Sequence, residues 1–262
     1  MNIVVLVKPV FDLNVSLQYP AEILGKTQRQ IIINPVDLDA IYYAMKLKEM
    51  YGGTVTTVSM APQNTKKILR KLYGYGVDKV IHVSDSKFKG ADTYATSLIL
   101  SKVIHSLKQT DIVITGVRSL DGGTGQVGSS VAEHLNWAQL SGVLGIPKID
   151  NDRIIYLQQL NNITYKVSCP LPAVIIYENN DTIKAPLISI KEICTKEKRQ
   201  IEEITSMTLE IDDENFGTNN SKTKVVGTQR CESNSERKNC QTSAEFVWLN
   251  VIDKGRRNGR NL

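Results

Sequence analysis

The stretch SLDGGTGQVGSSVAEHL, Ser119 to Leu135, sets Gly122, Gly123, Gly125 and Gly128 at the head of an apolar periodic segment. Gly123, Thr124, Gly125, Gln126, Val127 and Gly128 spell G-x-G-x-x-G, a spacing suited to anion binding. A glycine bend lets a phosphate reach main-chain N–H groups with no Cβ in the way. The free amides and dipole of a helix N-terminus then favour negative charge by roughly 0.3–1 kcal/mol when exposed. The same letters also describe an ordinary turn that caps a helix, and both readings stand at this point.

The surrounding residues narrow the choice of phosphate fold. A Rossmann fingerprint follows the first strand by a tight turn and pairs with an acidic residue after the second. Here the glycines follow the fourth strand, with Val117 to Gly123 in between, which counts against an NAD site. The P-loop pattern G-x-x-x-x-G-K-[ST] is missing, and KPVFD stands where an ATP pyrophosphatase carries its Ser-Gly-Gly loop. Cys169, Cys194, Cys231 and Cys240 form no C-x-x-C, and His82, His105 and His134 are scattered. Neither a zinc site nor a disulfide framework is expected, and no catalytic residue is assigned.

These residues need a scaffold, and the first half of the chain alternates strand and helix. IVVLVK, TVTTVSM, DKVIHVSD and DIVITG are short, apolar and β-branched, as strands covered on both faces are. Between them, Asn34 is placed to cap a helix with Pro35 in its first turn, and Leu38, Ile41, Tyr42, Met45 and Met50 make an apolar stripe ended by Gly52 and Gly53. After the glycine bend, Val127, Val131 and Leu135 with Ala132 form one helix face. QLSGVLGI reads as the next strand, RIIYLQQ and ITYKVSC as a hairpin around Asn161 and Asn162, LPAVIIY as a further strand, and LISIKEI as a short helix. The fold class expected is α/β, a doubly wound, mostly parallel sheet. Residues 1–195 form the nucleotide-binding domain and 196–262 an extended arm. Lys8, Asn34, Ser59, Asp92 with Thr93, and Gly116 to Gly128 converge on the carboxyl edge of the sheet, where open α/β sheets bind ligands.

Composition excludes several classes. The chain of 262 residues is 41% hydrophobic and 23% charged, an ordinary globular mix, and no apolar run is long enough to span a bilayer. NIVVLVK reads as a strand and not as a targeting segment, so cytoplasmic residence is expected. The net charge is +5, and from Ser221 onward nine Lys and Arg face four acids, so the excess lies in the tail. A basic nucleic-acid-binding body is therefore not expected.

Several segments together resemble the β subunits of electron transfer flavoproteins. VLVKPVFD, INPVDLDA, TVSMAP and above all TGVRSLDGGTGQVGSSVAEHL match that family's segments, with LPAVI and SKTKVV further on, so the resemblance covers Met1 to Val226. It implies an adenine-nucleotide alpha-hydrolase-like fold and a heterodimer with an FAD-binding α subunit. The β subunit would bind AMP as a structural filler or a second FAD fed by NADH, whose two electrons then part along two paths. Electrons would pass between an acyl-CoA-type dehydrogenase, or a similar flavoenzyme, and an acceptor. The uninterrupted Asp121–Thr124 run and the segment FKGADTYATSLIL favour FAD, with Thr93 and Thr96 near the flavin. By the same resemblance Leu6, Asn34, Asp37 and Ser59 would line the adenosine end. Gly116 through Val127 would wrap the diphosphate: Gly116, Arg118, Asp121, Gly122, Gly123, Thr124, Gly125, Gln126 and Val127 belong to this set, Arg118 as a cation and Asp121 as a loop brace. Phe246 and Trp248 would anchor the arm on the α subunit.

Overall fold

The chain, described from a computed structural model over residues 1–12, 30–179, 199–209, 217 and 221–223, opens with β1 (Asn2–Leu6), β2 (Pro9–Phe11) and β3 (Ile31–Ile33). α1 (Pro35–Tyr51), β4 (Thr54–Met60), α2 (Lys66–Arg70), β5 (Lys79–Val83), α3 (Thr93–Ser106), β6 (Ile112–Gly116) and α4 (Val127–Leu135) follow. Then come β7 (Ala138–Ser141), β8 (Val143–Asp150), β9 (Arg153–Leu160), β10 (Ile163–Pro170), β11 (Ala173–Tyr177) and β12 (Glu202–Ile204).

The main sheet has the order β12-β5-β4-β1-β6-β11-β7, and its described pairs are parallel. Side chains alternate faces along each strand. Ile3 and Val5 of β1, Ile112 and Ile114 of β6, and Ala173 and Ile175 of β11 therefore join the core under α1. Val4, Leu6, Val113 and Val174 join the opposite core with α3 and α4. Each fully buried branched side chain removes enough apolar surface to be worth roughly 1.5–3 kcal/mol. That two-sided cover makes these strands near-continuous apolar runs in the sequence. The doubly wound α/β fold follows.

Two local readings change. The buried face of α1 is Ala40, Ile41, Tyr43, Ala44 and Leu47, whereas Met50 is exposed. The two alanines allow close approach to the sheet, and Tyr43, not Tyr42, turns inward to stack on Tyr177 with ring centroids 4.3 Å apart. QLSGVLGI is two strands: Gly142, at φ +61°, breaks it, so β7 stays in the main sheet and β8 leads into an antiparallel sheet of order β10-β9-β8. A Cβ at Gly142 would lie 2.7 Å from Gln159 O. The β9–β10 hairpin does turn at Asn161 and Asn162, both at positive φ, as a tight hairpin turn requires.

β12 lies beyond residue 195, in the stretch read as an arm, yet it pairs with β5 and is fastened there by the ion pairs Lys66–Glu203 and Lys79–Glu202. Met1–Lys224 forms one compact unit. LISIKEI, Phe246 and Trp248 lie outside the described residues. No helix among the described residues is long and apolar enough to cross a membrane.

Candidate functional site

The sheet order reverses at β1, where one connection leads to β4 and the other side pairs with β6. A cavity of about 930 Å³ opens at the carboxyl ends of these strands and of β4 and β5. That is the place where an open α/β sheet offers a ligand a crevice.

The glycine bend forms one wall. Gly123 and Gly125 have φ of +61° and +64°, the left-handed region that side chains other than glycine's rarely adopt. The loop then enters α4, whose N-cap Gln126 makes no side-chain capping bond. The first-turn amides of a helix have no intrahelical acceptor. Beneath them Thr115 Oγ1 is buried and has no hydrogen-bond partner among the described residues, and Thr115 lines the cavity. Gly128, the last glycine of the pattern, serves packing: a Cβ there would lie 2.6 Å from Thr115 Oγ1 and 3.0 Å from Ile176 Cγ1.

Buried polar groups hold this wall to the core. Asn34 occupies the cap position of α1, but its side chain makes no capping bond. Instead Nδ2 donates to Arg118 O at 3.0 Å and Oδ1 accepts from Leu120 N at 3.3 Å, so the amide spans the loop. Asp37 Oδ2 accepts from Lys8 N at 2.8 Å, linking α1 to the end of β1. Burial pushes its carboxyl up to about 7, against the downward pull of the Lys8 amide, the Asn34 side chain, the Lys8 charge and the Gly116 amide. Gly116 has no room for a Cβ, which would sit 2.5 Å from Asp37 Oδ1. Asp121 grips Lys8 Nζ at 2.7 Å through both oxygens, and Oδ1 also accepts from Gly122 N at 2.6 Å. Partial burial acts upward on that carboxyl, but the bonds from Lys8, Ser119 and Gly122 outweigh it and hold it below its ordinary value.

The structure brings most of the expected residues together. Leu6, Asn34, Asp37, Thr93 and Thr96 line the cavity, as do Gly116, Arg118, Gly122, Thr124, Gly125 and Val127. Thr93 Oγ1 reaches Thr124 Oγ1 at 3.4 Å. Gly123, Gln126 and Asp121 belong to the same loop without lining the cavity, Asp121 acting through Lys8. Ser59 does not reach it. Val58 and Met60 line the cavity, so the two-residue strand period turns Ser59 to the other face, where it is buried in register with His82. Sequence reading found Asp92 at this edge but missed Thr115 as a lining group and the wall leading up to Asp92 from Val83. A threonine at the carboxyl end of a strand before a glycine loop was the one available signal for the first.

The electron transfer flavoprotein domain family matches residues 25–207. The chain is 37% identical over 232 residues to the electron transfer flavoprotein subunit beta of Thermoanaerobacterium thermosaccharolyticum, covering 87% of each protein. It is 32% identical over 196 residues to the acryloyl-CoA reductase electron transfer subunit gamma of Anaerotignum propionicum, covering 74% of this chain and 73% of that one. Protein FixA of Azotobacter vinelandii is 43% identical over 122 residues, which span 45% of this chain and 43% of its own. The chain belongs to the electron transfer flavoprotein family, among its beta subunits.

Proposed function

We propose that this beta subunit holds an adenine nucleotide in the cavity, with the diphosphate on the amides of Thr124–Ser129, where the glycine bend enters α4, and that the nucleotide is FAD. The reading is carried by one convergence: the left-handed glycines of the bend, the uncapped α4 amides that follow it and the unpartnered buried Thr115 hydroxyl beneath Gly128 belong to one wall. Anionic oxygens would satisfy those donors, while Leu6, Val58, Met60, Val83, Phe88 and Leu100 give the remaining surface an apolar character suited to flat rings. Thr93 and Thr96 extend the lining beyond the bend, which favours FAD over AMP.

When bound, FAD supplies reversible electron transfer. The residues of this chain bind, orient and shield it, and none is asked to act as a nucleophile. The working unit is a heterodimer with an FAD-binding α-type subunit, which exchanges electrons with an acyl-CoA-type flavoenzyme. The Anaerotignum relative, an electron transfer subunit of acryloyl-CoA reductase, supports that choice of partner. The test is to purify the chain with its α-type partner, denature the complex, and count the nucleotides released per heterodimer. Two FAD support this reading and an NADH-driven division of electrons along two paths. One FAD with one AMP overturns FAD in the beta site, and no nucleotide beyond that of the α subunit overturns the cavity assignment.

A further inference from the structure

The cavity wall opposite the glycine bend, Asp85 to Asp92, has little regular structure beyond a 3-10 turn at Ser86–Phe88. Described residues far along the chain hold it at three points. Asp85 Oδ2 accepts from Ser206 Oγ at 2.6 Å and from Ser206 N at 3.1 Å. Gly217, at φ +49°, runs so close that a Cβ would overlap the carbonyl oxygens of Lys87 and Lys89. At the far end Ser221 Oγ accepts from Asp92 N at 2.9 Å and donates to Gly217 O at 2.8 Å. Thr223 N and Oγ1 donate to Asp92 Oδ2 at 2.8 and 3.0 Å. Lys222 Nζ stands 5.0 Å from the centroid of the Tyr94 ring.

Asp92 is the pivot of this arrangement. Its other oxygen accepts from Ala95 N at 3.0 Å and so caps α3, whose first turn presents Thr93 to the cavity and to Thr124 across its mouth. Partial burial acts upward on the Asp92 carboxyl, but the amides of Ala95, Thr223 and Lys222 and the Thr223 hydroxyl outweigh it and keep it below its ordinary value. It therefore stays a charged acceptor, and charge-assisted bonds are the stronger kind.

We propose that Ser206, Gly217 and Ser221–Thr223 act as a clasp that pre-forms the Asp85–Asp92 wall, so that retention of the nucleotide depends on their contacts with Asp85 and Asp92. An unordered wall would have to be ordered by the ligand, at the expense of affinity. A clasped wall is ordered in advance. The clasp residues are positioning residues and do not touch the ligand site themselves. This inference rests on the nucleotide reading of the cavity.

The test uses the full chain with FAD and AMP as separate probes. Dissociation constants are measured by titration calorimetry and the exchange rate of the Ala95 amide by NMR. Ser221→Ala combined with Thr223→Val should raise the dissociation constant about tenfold and speed exchange at Ala95, while Thr223→Ser should match the wild-type chain. If the double variant fails to fold, Thr223→Val compared with Thr223→Ser decides, with a smaller change expected in the same direction for valine alone. If the wild-type chain binds neither probe, the nucleotide reading fails and the clasp with it. If it binds one and the variants bind equally well, the clasp alone is overturned.

Discussion

Two walls face each other across the cavity, and they are held in opposite ways. The glycine wall is fixed from within: Asn34 and Asp37, both nearly fully buried, connect it to α1 and to the end of β1, and Gly128 seats α4 directly on the sheet. The Asp85–Asp92 wall is fixed from outside, by hydroxyls and amides of residues more than a hundred positions later. Removing a buried partner leaves a polar group unpaired and costs folding stability, whereas the exposed bonds from Thr223 to Asp92 exchange with water at small net loss. The first wall is therefore part of the fold, whereas the Thr223–Asp92 fastening of the second is a condition that the fold can gain or lose.

Substitutions in the two walls should differ in their effect on folding stability. Asp37 should give the largest signature. Its carboxyl is raised in the folded state, so its contribution is fully present below its unfolded value and is lost as pH rises from about 4 through about 7. At about 1.4 kcal/mol per unit, that is up to about 4 kcal/mol of pH dependence. Urea unfolding of Asp37→Asn across this window should show the slope flattened. Next comes Gly128→Val, which forces atoms into Thr115 and Ile176 and should cost about 3 kcal/mol by the same measurement. Asn34→Ala, which unties Arg118 O and Leu120 N, should cost about 2 kcal/mol and also weaken nucleotide binding in calorimetry. Gly123→Val meets only Ser119 O, at 3.8 Å, so about 1 kcal/mol of backbone strain is expected together with loss of nucleotide retention. Thr223→Val, in the other wall, should leave unfolding within about 0.5 kcal/mol of wild type. A larger stability loss from Thr223→Val than from Asn34→Ala would erase the distinction between the walls.

What the sequence made legible follows the same division. Strands with buried faces on both sides announce themselves as β-branched runs, and β1, β4, β5, β6 and β11 were all readable that way. The glycine bend was readable because its backbone conformation restricts the residue type locally. Ser59 was misplaced because one step along a strand reverses its face, and the pattern around it, TVTTVSM, is apolar or small on both. Tyr42 was preferred to Tyr43 because alanines at 40 and 44 hide the true face of α1. Apart from Asp92, the Asp85–Asp92 wall was illegible because its order comes from Ser206, Gly217, Ser221 and Thr223, and nothing in the local sequence encodes a partner so distant. β12, three residues paired at an edge, is too short to show a period at all.

The central proposal is that the backbone of residues 124 to 129 receives the diphosphate. The most direct measurement is the change in amide chemical shifts of the isotopically labelled full chain on saturation with FAD, and with AMP in a parallel sample. The largest shifts are expected at Thr124 through Ser129, with Thr115 responding beneath them. Binding that leaves those amides unmoved while shifting others would contradict the account.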